Sequence, residues 1–150
     1  MSHTYYELKA CERQLLGALP VTRVAYRCGI EGRAYWSPFC GRFVFILRGK
    51  AMQREADREW HVQAPALLMQ RPGGAFLYGA DGQWDELSIV YSPAVWARCQ
   101  SLGLFEPESP AHQVTREATL HALASELLDR LETLEPPRQA DVVDRLCELM

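Results

Sequence analysis

The chain has 150 residues, 48% of them apolar, 23% charged and 10% aromatic, with a formal net charge of -3 and a pI near 5.8. Its aromatic content excludes a disordered chain, its length fits one domain, and its acidic balance argues against a dominant nucleic-acid-binding face. No stretch is apolar enough to span a membrane and MSHTYYELKACERQ lacks a signal pattern, so the sequence predicts a soluble cytoplasmic domain.

The first twenty or so residues, with Tyr5 and Tyr6, read either as a mobile arm or as a short helix. From there to about residue 92 short strand-like runs alternate with turn signals. Val21–Tyr26 alternates and is interrupted by Gly29 and Gly32. Arg42–Arg48 (RFVFILR) is β-branched and aromatic and ends at Gly49. Leu67–Gln70 is stopped by Arg71-Pro72-Gly73-Gly74. Ala75–Tyr78 precedes a predicted turn, Gly79-Ala80-Asp81-Gly82, and Trp84–Tyr91 follows. Short strands at this spacing predict an antiparallel sandwich or barrel.

After residue 92 the period becomes helical. Pro93–Leu102 predicts a short helix with Pro early and Gly103 just past its end. Leu120, Ala124, Leu127, Leu131 and Leu134 recur at steps of 4, 3, 4 and 3, widened by Leu123 and Leu128, with Thr115 the expected N-cap. Pro136-Pro137 ends that helix, and a last one carries Ala140, Val143, Leu146 and Leu149 on one face. The leucine stripe either packs on the barrel or pairs with its twin in a second chain. Its near-heptad step favours an antiparallel dimer seam made of Leu120, Leu123, Ala124, Leu127, Leu131 and Leu134. The last helix runs apolar to LCELM without a polar tail, which reads as a cut at a domain boundary.

Three segments taken together, FVFILRG (43–49), VQAPALLMQRPGG (62–74) and WDELSIVYSPAVW (84–96), resemble the N-terminal effector-binding and dimerisation domain of AraC-type bacterial transcription regulators. Leu47-Arg48-Gly49, Leu67-Leu68-Met69, Pro72-Gly73, Trp84 and Tyr91-Ser92-Pro93 match the family's pattern. Pro65-Ala66 stand where it has Gly-Asp, and Arg71 replaces a Pro. The resemblance covers about residues 20–135. It implies a mainly β, cupin-like double-stranded barrel (jelly roll) over 1–92, followed by two or three α-helices forming a dimerisation region over 93–150. The helix-turn-helix DNA-binding domain of such regulators is absent from this sequence, so DNA would be reached only through a further domain.

Cupin enzymes hold a metal through three His and a Glu. By resemblance those slots fall near Trp36–Pro38, on Arg42 and on Phe76, and none carries a ligand type. The four His are scattered, with only His61 in the barrel, and the five Cys form no C-x-x-C pair. No nucleophile elbow, phosphate loop or zinc-protease motif is present. Asp85 and Glu86 are neighbours in a strand and point apart. The sequence therefore predicts neither enzyme nor cofactor. Alternation places Trp84, Glu86, Ser88 and Val90 on the lumen face of one strand, and Arg42, Val44, Ile46 and Arg48 on the lumen face of another. Arg48, Phe76, Tyr78, Trp84, Glu86 and Ser88 are the candidate ligand-binding residues; Arg48, Tyr78, Glu86 and Ser88 also match positions that contact ligand in sugar-sensing relatives. Arg, Tyr and Glu suit a polyhydroxylated or acidic small molecule. Alternatively Arg48 and Glu86 form an internal ion pair and Phe76 fills the core. A stand-alone, metal-free cupin-like binding protein or enzyme is the competing reading.

Overall fold

In a computed structural model, residues 2–14, 17–105, 109–133 and 135–150 are described. Eight antiparallel strands and three helices follow in the order β1 (Ser2–Glu7), β2 (Val21–Trp36), β3 (Gly41–Arg48), β4 (Lys50–Glu55), β5 (Arg58–Gln63), β6 (Ala66–Gln70), β7 (Phe76–Tyr91), α1 (Pro93–Ser101), β8 (Ala111–Gln113), α2 (Glu117–Thr133) and α3 (Pro136–Leu149). The sheet order is β1-β2-β7-β3-β6-β8, with the β4–β5 hairpin joined to β7. The long β7 organises the roll. Its first half lies between β2 and β4, and its second half between β2 and β3. This is the expected nearly closed, cupin-like barrel with C-terminal helices.

Two predicted turns are strand. Gly29 and Gly32 sit at register shifts within β2, with φ of 64° and 84°, so the backbone bulges and bends without leaving the sheet. Opposite them, Gly79 continues β7 at φ 148°. A Cβ there would lie 2.1 Å from the Gly32 carbonyl oxygen, so the two strands cross at backbone contact. The β4–β5 hairpin was not visible in the sequence pattern, and β8 inserts a strand into the region read as helical.

Alternation divides the side chains into two cores. Val44 and Ile46 of β3, Ala66 and Leu68 of β6, and Tyr78 and Trp84 of β7 fill the barrel. Phe45, Leu87, Ile89 and Tyr91 face outward and are covered by the helices. Ser92 caps α1, its Oγ accepting from the Val95 N–H at 3.3 Å, with Pro93 in the first turn. Gly41 lets α1 dock, since a Cβ there would fall 2.0 Å from the Trp96 ring, which stacks with Phe43 and Phe105 at centroid distances of 4.8 and 4.7 Å.

The helix α2 starts at Glu117, with the Arg116 carbonyl accepting the first helical bond, so Arg116 and not Thr115 occupies the cap. Leu120, Ala124, Leu127 and Leu131 are buried in the chain's own outer core against Leu87, Ile89 and α3. As folded, they are not presented to a second chain. Leu123 is half-buried and Leu134 lies outside the described residues. Pro136 and Pro137 open α3 and do not close α2. On α3, Ala140, Val143 and Cys147 are buried while Leu149 is 69% exposed. The helix also turns acidic groups inward. Asp144 accepts from the Val21 N–H (2.8 Å) and Arg13 Nε (3.1 Å), Asp141 from the Gln14 N–H (3.0 Å) and Glu148 from the Leu19 N–H (2.8 Å). These bonds pin Arg13, Gln14, Leu19 and Val21 to α3, whose buried face joins Asp141 and Asp144 to Ala140 and Val143 of the predicted stripe, while Leu149 is left out. Residues 2–7 of the predicted arm form neither a helix nor a free arm: β1 pairs with β2 along Ser2–Glu7.

Candidate functional site

Glu86 projects from the middle of β7 into the barrel and is fully buried. Its Oε1 accepts from Arg27 Nε at 2.9 Å, from Arg27 Nη2, from Arg42 Nη2 at 3.3 Å and from Ser88 Oγ at 3.2 Å. Its Oε2 accepts from Trp84 Nε1 at 2.8 Å and from the Tyr78 hydroxyl. Burial opposes ionisation of Glu86, but the Arg27 and Arg42 guanidiniums with the Tyr78 and Trp84 hydrogen bonds outweigh it and hold the carboxyl below its ordinary range. Burial and the adjacent Glu86 charge push Tyr78 well up, so it donates as a neutral phenol. Burial also lowers Arg42, without bringing it near neutrality, since Arg stays protonated in proteins.

Arg42 extends the network. Its Nη2 donates to Ser88 Oγ at 2.8 Å and its Nη1 to Gln70 Oε1 at 3.1 Å, and its guanidinium lies 5.4 Å from the Trp36 ring centroid. Behind it, Gln70 Nε2 and Gln53 Oε1 are buried without a partner. A cavity of about 400 Å³ opens at the barrel mouth, lined by Arg27, Arg42, Tyr78 and Ser88 on its polar side and by Trp36 and Phe39 on its apolar side; neither glutamine lines it. Tyr5 of β1 closes part of the rim.

A larger cavity, about 570 Å³, lies outside the barrel, where Phe43, Leu67 and Met69 face Leu102, Phe105 and Met150. Its lining is mainly apolar and includes Arg98, His112 and Glu148. Convergent polar groups are what orient a small ligand, and those belong to the barrel cavity, so the smaller space is the candidate site.

The sequence-predicted residues divide by position. Tyr78 and Ser88 line the cavity, while Glu86 and Trp84 stand behind them in the network. Phe76 lines a separate small space with Met69, Trp96 and Phe105 and does not reach Glu86. Arg48 does not point inward. A register shift between Ile46 and Arg48 breaks the alternation, leaving its side chain 64% exposed and bonded to Asp85 at 2.7 Å. The internal pair therefore joins Glu86 to Arg27 and Arg42, with Arg48 held by Asp85 outside. Arg27 was hidden because β2 was read as ending at Tyr26. Arg42 shares a face with Val44 and Ile46, a signal the alternation carried. His61 is exposed on β5 beside Glu59.

The lumen does not fit a cupin metal. Where the family's Glu ligand falls, Arg42 offers only donors and a positive charge, which repels a cation. Among the described residues no three His, Cys, Asp or Glu side chains are grouped to hold a metal ion, and no helix is long and apolar enough to cross a membrane.

Comparison with known proteins places this geometry. The fold is similar to the AraC-like transcriptional activator CuxR, at 9% identity and a TM-score of 0.63, covering 83% of this chain and 49% of that one. Weaker likenesses reach a cupin superfamily protein from Desulfitobacterium hafniense (14% identity, TM-score 0.44, 61% and 78% covered) and the EutQ protein of Clostridium difficile (9% identity, TM-score 0.43, 49% and 58% covered). The chain thus spans about half the length of CuxR and of the EutQ protein. No curated protein matches the sequence. The model of the AraC-like ligand binding domain matches residues 42–150, and the chain belongs to that family.

Proposed function

We propose that this chain is the small-molecule sensing domain of an AraC-type transcription regulator, acting in the cytoplasm by binding and not by turnover. The effector enters the barrel mouth, and the signal passes to a DNA-binding domain carried elsewhere in the protein. The observation that carries the reading is the open cavity onto a buried, donor-rich network at Glu86, Arg27 and Arg42. A site that converges polar groups in an otherwise apolar barrel is built for recognition. Tyr5 brings β1 to the same cavity, so occupancy biases the packing of the N-terminal strand. That differential contact is what an allosteric effector needs. The proposal includes a homodimer. Since the leucine stripe is used internally, the seam is drawn around Leu123, the member of the predicted set left half-buried and outside the apolar clusters.

The test is a metabolite screen read by thermal melting. A ligand at 100 times its dissociation constant adds about 2.7 kcal/mol, which for a chain of this size raises the melting temperature by roughly 5–10 °C. The expected result is a compound that stabilises the chain and is recovered unchanged. A compound that is consumed, or a full screen with no stabiliser, refutes a sensing domain.

A further inference from the structure

We propose that the barrel cavity selects a compact organic monoanion, a carboxylate carried on a flat apolar body, over a neutral polyol. The inference rests on the effector-binding reading of the same cavity and adds the ligand's chemistry.

A carboxylate offers about four lone-pair sites, and Glu86 already receives donors from Arg27, Arg42, Tyr78, Trp84 and Ser88. It has no capacity left for a ligand hydroxyl. Each guanidinium carries five N–H donors in a fixed fork. Arg27 commits Nε and Nη2 to Glu86, and its Nη1 donates to no side chain in this network. A sugar needs acceptors and donors in similar number; this cavity supplies donors in excess.

Among the described residues no acidic side chain lines the cavity, whereas Arg23, Arg27 and Arg42 do. Arg23 is neutralised at the rim by Glu7. Two guanidiniums then face the single buried charge of Glu86, leaving one positive charge uncompensated at the cavity wall. One anionic group closes that balance, and a planar carboxylate matches the Arg fork.

Trp36, already under the Arg42 guanidinium, and Phe39, 83% exposed at the mouth, line the cavity with aromatic surface. Exposed aromatic surface of this kind gains by covering a flat apolar body.

The experiment is calorimetric titration of the 150-residue chain at low salt with benzoate, benzamide, acetate and glucose. Benzoate is expected to bind at least about tenfold more tightly than benzamide, the loss of one charge-assisted contact. Acetate, with the charge but no ring, is expected to fall between them. Arg27→Gln should remove the benzoate preference while leaving benzamide unchanged, and Arg27→Lys should recover part of it, with melting curves confirming that both variants fold. Equal binding of benzoate and benzamide overturns the anion assignment, as does a benzoate affinity indifferent to Arg27→Gln. Glucose binding where benzoate does not overturns it too, while leaving the sensing reading standing. If none of the four binds at millimolar concentration the assignment also falls, and the metabolite screen decides the sensing reading separately.

Discussion

Leu127→Ala separates two roles for the leucine stripe. Leu127 is 0% exposed and packs in the outer core with Leu87, Ile89 and Val143. Truncating such a leucine loses transfer free energy and leaves a cavity between a sheet and two helices that cannot close freely, at a cost of about 2.7–5.0 kcal/mol. For a chain of this length each kcal/mol moves the melting temperature by roughly 2–4 °C, so the variant should melt roughly 10 °C lower. Because the lost contacts are within one chain, the drop should be the same at two protein concentrations about a hundredfold apart, whereas a seam between chains would make it concentration-dependent. The companion change Leu123→Asp, at the half-buried position, should leave the monomer fold intact and reduce the dimer to 17.1 kDa in analytical ultracentrifugation. A Leu127→Ala protein that keeps its melting temperature but dissociates would refute the assignment of the stripe to the chain's own core.

Gly79→Ala should be severely destabilising, by roughly 3 kcal/mol or more, because the new Cβ meets the Gly32 backbone and the φ of 148° disfavours any L side chain. Gly82→Ala, with nothing within 4 Å of the added carbon, should change stability little; equal urea midpoints for the two variants would contradict the strand crossing. Asp85 is held down at about 2, chiefly by the hydrogen bond from Arg48. A depressed carboxyl stabilises the fold fully above its unfolded value near 4 and loses that contribution as pH falls toward 2. Asp85→Asn should therefore flatten the acid limb of a stability–pH profile in that window, and an unchanged slope would show that the Arg48 contact carries no linkage.

The barrel was legible where one face of a strand is strongly apolar. Arg42–Arg48 and Trp84–Tyr91 were recognised from their alternation, and the partition of β7 into Glu86 and Ser88 inside, Leu87 and Ile89 outside, follows from period 2 alone. What failed was continuity. Glycine reads locally as a turn, but in β2 and β7 the glycines face one another and permit a bend within a continuous ladder. Stopping β2 at Tyr26 hid Arg27, and the unseen irregularity after Ile46 turned Arg48 out of the lumen while Arg42, six residues earlier on the same strand, stayed in. The β4–β5 hairpin, rich in Gln, Arg and Glu, gives no apolar alternation because its contribution to the lumen includes a buried amide, Gln53.

These misses share a physical origin, and it bears on function. Arg27, Gln53 and Gln70, which the sequence pattern did not place in the lumen, and Arg42, which it did, are polar groups at lumen positions that a barrel built only for stability would fill with hydrocarbon. Burying an ion pair contributes little or nothing against an apolar replacement of the same shape, because desolvation offsets the Coulomb gain. Here two arginines and a glutamate are desolvated together, and two amide atoms are left unpaired, each costing about 1–3 kcal/mol. A network that lowers stability while opening onto a cavity of about 400 Å³ is accounted for by what enters that cavity. A ligand that supplies the missing negative charge recovers part of the desolvation cost on binding, so its affinity draws on the burial of Arg27 and Arg42 beside Glu86 as well as on its own contacts.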